Sequence, residues 1–114
     1  MVRLTLRIDF DTGRALGPGK IHLLELVGET GSIAAAGRTL GMSYRRAWLL
    51  VDALNATFRE PVVVARGGGA GGGGASLTPF GEALVACYRA MEETARDALA
   101  QRMAELENAL SANS

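Results

Sequence analysis

Seven glycines crowd the eight positions 67–74, just after the strand-like VVVAR, and Gly67, Gly69 and Gly72 satisfy the pattern G-x-G-x-x-G. In a nucleotide-binding protein such a loop follows a strand and offers phosphate its backbone amides at the start of a helix. Upstream, Tyr44, Arg45 and Arg46 place a phenol beside two forked guanidinium groups. That chemistry suits the guanine edges and phosphate oxygens of duplex DNA. Catalysis has little to draw on. The chain holds one histidine, His22, and one cysteine, Cys87; its acids are scattered over helical segments, and no spacing fits a metal site. The expectation is a protein that is not an enzyme and that carries no cofactor and no metal.

The residues around the glycines decide between the two chemistries. A dinucleotide fingerprint needs a helix that begins at its last glycine, then a second parallel strand with an acid roughly 20 residues on. Here the glycines run into ASLTPFG, which postpones the helix, and no strand follows it. A P-loop needs Gly-Lys-Ser/Thr, and the only lysine is Lys20. The remaining reading is a hairpin: EPVVVAR as one strand, the glycines as its tip and ASLT as the returning strand. A purely structural hairpin gains nothing from so many glycines and loses stability through their freedom in the unfolded chain. A tip that lies against sugar-phosphate, with backbone amides as donors, gives them a use.

The elements that must position these groups follow from periodicity. Val2, Leu4, Leu6, Ile8 and Phe10 alternate with polar residues and predict a strand buried on one face. Pro18 opens a helix carrying Ile21, Leu23, Leu24 and Val27 and stopping between Gly28 and Gly31, with His22 at or near its surface. In GSIAAAGRTLGMSYRRAWLLVDALN, Ser32 caps a short helix that Gly41 ends, and Ser43 caps a second with Ala47, Leu50, Val51, Leu54 and Phe58 along one face. Small residues at Ala36 and Gly37 let the two helices cross closely, as a helix-turn-helix requires. The hairpin comes next, which is the winged order. Tyr44, Arg45 and Arg46 then occupy the first turn of a recognition helix. Arg38 touches backbone or nothing, Arg66 either binds phosphate or stands solvated, Tyr44 either contacts a base or phosphate or packs beneath the wing, and Trp48 is expected to pack against a neighbouring element rather than to stack on DNA.

Thr78 and Pro79 open the last helix, which continues without Gly or Pro from Glu82 to about Leu110 and so spans about 45 Å. Leu84, Tyr88, Met91, Ala95, Leu99, Met103 and Leu106 form a stripe too long for a domain of this size to cover. A second copy of the chain is the simplest cover. The fold class expected is mainly α with a small β-hairpin, a winged helix-turn-helix over residues 1–78 with a long dimerisation helix over 79–114 and a frayed tail.

With 114 residues, 48% of them apolar, the chain makes one modest core. The net charge is zero, but residues 1–66 carry nine Lys/Arg against six Asp/Glu and residues 67–114 three against six, so +3 and −3 cancel. A basic face on a neutral protein is therefore allowed. The lone thiol suits a reducing cytoplasm, and no apolar run is long enough to be a membrane span. The same neutrality leaves open a dimeric winged-helix module that partners another regulator without binding DNA itself.

GSIAAAGRTLGMSYRRAW, the hairpin VVVARGGGAGGGGASLTPFG and the helix after it resemble the N-terminal DNA-binding domain of ModE-type, molybdate-responsive regulators. The helix-turn-helix is more distantly similar to that of LysR-type regulators. The resemblance implies a winged helix-turn-helix homodimer joined through its helices and facing a near-palindromic operator. It places Ser43, Tyr44, Arg45 and Arg46 on DNA, with Arg38, Arg66 and the wing residues Gly68, Gly69, Gly71 and Gly72 beside them. In that family molybdate is sensed by C-terminal domains, so no residue here inherits a molybdate site; the expectation is either a short, sensor-less relative regulating by abundance or by a partner, or a protein that responds to something the sequence does not show.

Overall fold

The computed structural model describes residues 1–69 and 72–112. Gly71 lies outside them. The order is β1 (Ile8–Asp9), β2 (Ala15–Leu16), α1 (Pro18–Thr30), α2 (Ile33–Thr39), α3 (Tyr44–Thr57), β3 (Val63–Gly69), β4 (Gly72–Leu77) and α4 (Pro79–Ala109). Helices with a small antiparallel hairpin make this a winged helix-turn-helix followed by a long C-terminal helix.

The amino-terminal strand is shorter than its alternation predicts. Val2, Leu4, Leu6, Ile8 and Phe10 are half-buried and the residues between them exposed, yet only Ile8 and Asp9 pair, with Leu16 and Ala15. The chain turns at Gly13 (φ 82°) and enters α1 at Pro18, so the partner strand has two residues and the ladder cannot lengthen. A side chain takes over where the ladder stops: the Tyr88 hydroxyl donates to the Leu6 carbonyl at 2.6 Å.

α1 buries Ile21, Leu23, Leu24, Leu26 and Val27 and ends at Gly31, whose φ of 72° is accessible mainly to glycine. The Ser32 hydroxyl accepts from the Ala35 amide at 3.0 Å and caps α2; the Ser43 hydroxyl accepts from the Arg46 amide at 3.1 Å and caps α3. At their crossing a Cβ on Gly37 would sit 3.0 Å from the Ala47 Cβ, so glycine sets how closely the helices approach. Gly41, at φ 71°, makes the corner. Phe58 bridges Phe10 and Phe80, with ring centroids 5.7 and 5.6 Å apart, and closes the core beneath the wing.

In the wing, Val63 pairs with Leu77, Ala65 with Ala75 and Arg66 with Gly74. The ladder continues to Gly69 opposite Gly72, after an irregularity between Arg66 and Gly69. The sequence places glycines 67–69 and 72–74 in the tip; the structure puts them in the strands, because backbone pairing does not need side chains.

α4 starts at a three-way junction. The Thr78 hydroxyl accepts from the Gly81 amide at 2.9 Å and donates to the Pro61 carbonyl at 2.7 Å, while the Thr78 amide bonds the Val62 carbonyl. Gly81 lets that same Val62 carbonyl press against the helix. Arg89 then clamps α4 to α1, with Nε and Nη2 on the two oxygens of Glu25 at 3.1 and 2.7 Å and Nη1 on buried Glu92 at 2.7 Å. The Arg89 hydrogen bond holds the Glu25 carboxyl below the usual carboxylate range. Tyr88, predicted on the dimer stripe, is fully buried in its own chain, and Leu84 packs partly against the same core. The stripe's first turns face inward, and periodicity alone does not distinguish an internal partner from an external one.

Beyond Glu92 no residue of α4 is buried, and the amino-terminal segment runs beside it, with the Met1 ammonium 3.5 Å from a Glu107 carboxylate oxygen. The molecule measures 58 × 30 × 23 Å with a radius of gyration of 17.0 Å, against about 13 Å for a compact chain of this length.

Candidate nucleic-acid interface

The site is built on α3. Ala47, Val51 and Leu54 face the core, and this fixes the helix's rotation. The helical period then turns Arg45 and Leu49 away from the body, flanked by Tyr44 and Trp48 on the wing side and by Arg46 on the other. Tyr44 is 58% exposed, and Arg45 and Arg46 are exposed beside it. Asp52 is the only acid on this helix. Arg38, exposed in the last turn of α2, lies across the Gly41 corner.

Trp48 lies beside the wing and is only partly covered. It is 45% exposed and stands outside the core, and Leu49 is 47% exposed. Three large apolar side chains therefore stand outward on one helix whose inner face is otherwise fully satisfied. The side of Trp48 turned toward the wing lines a groove with Tyr44, Asp52, Asn55, Ala65 and Gly74.

The wing is held to this helix by a residue that sequence reasoning passed over. The Asn55 Oδ1 accepts from the Val62 and Val63 amides at 2.8 and 3.1 Å, and its Nδ2 donates to the Val63 carbonyl at 3.1 Å. Its only local signal is a primary amide on the wing side of a helix ending just before Pro61. Arg66 has a structural partner as well. Its Nη2 donates to the Gly31 carbonyl at 3.3 Å, and the Ala75 amide bonds the same oxygen at 2.9 Å. The base of the wing is thus tied to the α1–α2 corner, with the Arg66 side chain on the same surface as Tyr44.

Among the described residues no group of His, Cys, Asp and Glu could hold a metal ion. No helix among the described residues is long and apolar enough to cross a membrane. What the surface offers is guanidinium groups, a phenol, an indole and a wing of bare backbone, all on one side of a helix-turn-helix.

The bacterial regulatory helix-turn-helix family of the lysR type matches residues 19–82, from α1 through the wing to the first turn of α4. The chain belongs to that family. It is 44% identical over 81 residues to the molybdenum-pterin-binding protein MopB of Rhodobacter capsulatus, a stretch covering 71% of this chain and 30% of that protein. It is 40% identical over 104 residues to the molybdenum transport protein ModE of Azotobacter vinelandii, covering 89% and 38%. Over 71 residues it is 36% identical to the transcriptional regulator ModE of Yersinia pestis, covering 62% and 27%. The chain thus spans about a third of the length of these relatives. These matches bear out the resemblance to ModE-type regulators.

Proposed function

We propose that this family member is a homodimeric, sequence-specific DNA-binding regulator of transcription. One observation carries the reading: a capped second helix, locked to its neighbour by Gly37 and to a wing by Asn55, turns Tyr44, Arg45 and Arg46 outward in its first turn. First-turn arginines on such a helix meet base edges in the major groove. The wing, lined by glycine backbone, lies against the adjacent sugar-phosphate, with Arg66 and Arg38 at the margins. The relatives' names connect their proteins with molybdenum, and on this reading the regulated genes serve molybdenum handling.

Dimerisation in this proposal uses the outer face of α4 and its C-cap, where Met91, Leu99, Leu106 and Leu110 are 38–59% exposed and Ala95 and Met103 lie between them. A second copy covers that face and sets two recognition helices roughly 34 Å apart, one per half-site.

The experiment is a salt titration of binding to mixed-sequence DNA, alongside sedimentation of the free protein. A dimer whose affinity falls steeply with salt supports the reading, because phosphate contacts release counterions. A dimer that binds no DNA at low salt overturns it in favour of a module that partners another regulator.

A further inference from the structure

We infer that Leu49 and Trp48 read thymine C5-methyl groups in the major groove, so that operator choice depends on methyls as well as on arginine contacts. The inference rests on the DNA-binding reading and deepens it. A solvated helix face ordinarily carries polar residues at its outermost positions. Here Leu49 lies on the line farthest from the buried Ala47, Val51 and Leu54 and is 47% exposed, with Trp48 beside it at 45%. The wing leaves both uncovered: Trp48 lines an open groove against it, and Leu49 lies on the far side with Arg45 and Arg46.

Charge chooses the occupant. An apolar protein surface would meet Arg45 and Arg46 at the edge of this patch and leave them unpaired. A duplex supplies phosphates for arginines and, among its base edges, one apolar group: the thymine methyl. Spacing agrees. Leu49 follows Arg45 by one helical turn, about 6 Å along the axis, which is within two base-pair steps of a duplex rising about 3.4 Å per pair. Arginine reading guanine and leucine reading thymine can therefore act within one half-site. Asp52, exposed one turn past Trp48, is suited to accept from a cytosine amine, which a methyl-bearing thymine lacks.

The test begins with duplexes selected from a randomised library by the full chain. Each thymine of the enriched half-site is then replaced singly by uracil, which keeps every hydrogen-bonding group and removes only the methyl. Affinity is read by fluorescence anisotropy. One or two positions should bind about fourfold more weakly as uracil, the fold-change of one buried methyl-sized group. At those positions Leu49→Ala or Trp48→Ala should bind thymine and uracil equally while still requiring the guanines; thermal unfolding verifies that the variants fold. An enriched duplex indifferent to every uracil overturns the inference and leaves DNA binding standing. Failure to enrich any duplex overturns both and assigns the exposed patch to a protein partner.

Discussion

The side-chain amide of Asn55 makes hydrogen bonds to both the amide and the carbonyl of Val63, at 3.1 Å each, and so ties the last turn of α3 to the first residue of the wing strand. A third bond, from the Val62 amide at 2.8 Å, fixes the approach to the strand. The outward turn of α3 and the path of the wing are therefore a single geometric quantity.

Asn55→Ala removes this clamp and leaves part-buried amides without their acceptor, at a cost of about 1–3 kcal/mol in urea unfolding. Its effect on DNA should exceed its effect on folding: the wing loses its alignment, and backbone protection beside the half-site fades while protection at the major groove persists. A Val51→Ala variant of similar stability loss should keep both. Equal footprints for the two variants would reduce Asn55 to an ordinary structural contact.

Gly81 reverses a propensity rule. In a helix, alanine is favoured over glycine by about 1 kcal/mol, but a Cβ at Gly81 would run into the Val62 backbone carbonyl. That carbonyl also holds the Thr78 amide at 3.0 Å and cannot retreat without opening the junction of wing and α4. Gly81→Ala should destabilise the fold by about 2 kcal/mol or more, within the range of overpacking. A midpoint of denaturation unchanged or raised in Gly81→Ala would contradict this account.

These two residues also mark what the sequence could and could not reveal. Ser32, Ser43 and Thr78 were legible as caps because each bonds an amide three residues on, and Gly41 because a left-handed corner needs it. The wing and the outward arginines followed from the same local rules. Contacts distant along the chain left no local trace: Tyr88 meets a carbonyl 82 residues away, and Arg89 meets Glu25 across 64. For that reason a single apolar stripe on α4 merged residues that close the chain's own core with residues that remain outside. Trp48, expected against a neighbouring element, is 45% exposed and lines the groove beside the wing, a placement set by the rotation of α3.

Tyr88 makes stability sensitive to alkali. Burial is the main cause of the rise in its pKa, and the Glu92 carboxylate adds to it. A group whose folded pKa lies above its unfolded value, about 10 for tyrosine, stabilises fully below that value and loses the contribution as pH climbs through the folded pKa. The wild-type protein should therefore weaken above about pH 10. Tyr88→Phe should lose about 1 kcal/mol at neutral pH with the Leu6 bond and show a flatter alkaline limb. Parallel alkaline limbs for the two proteins would exclude Tyr88 as the titrating group.

Arg45 and Arg46 are adjacent in sequence and differently placed on α3. Arg45 shares the outermost line of α3 with Leu49, whereas Arg46 shares a line with half-buried Leu50 and therefore leans toward the groove wall. From that rotation we predict that Arg45 meets base edges and Arg46 meets phosphate. Arg45→Ala should cost about 1–3 kcal/mol on a selected duplex and little on random DNA, relaxing the choice of base at one position per half-site. Arg46→Ala should weaken selected and random duplexes alike and lower the salt dependence by about one counterion. Paired titrations of each variant against both duplexes at several salt concentrations separate the two. If the effects exchange, with Arg46 carrying the base preference, α3 is rolled about its axis relative to the groove, and Leu49 can no longer sit opposite the bases.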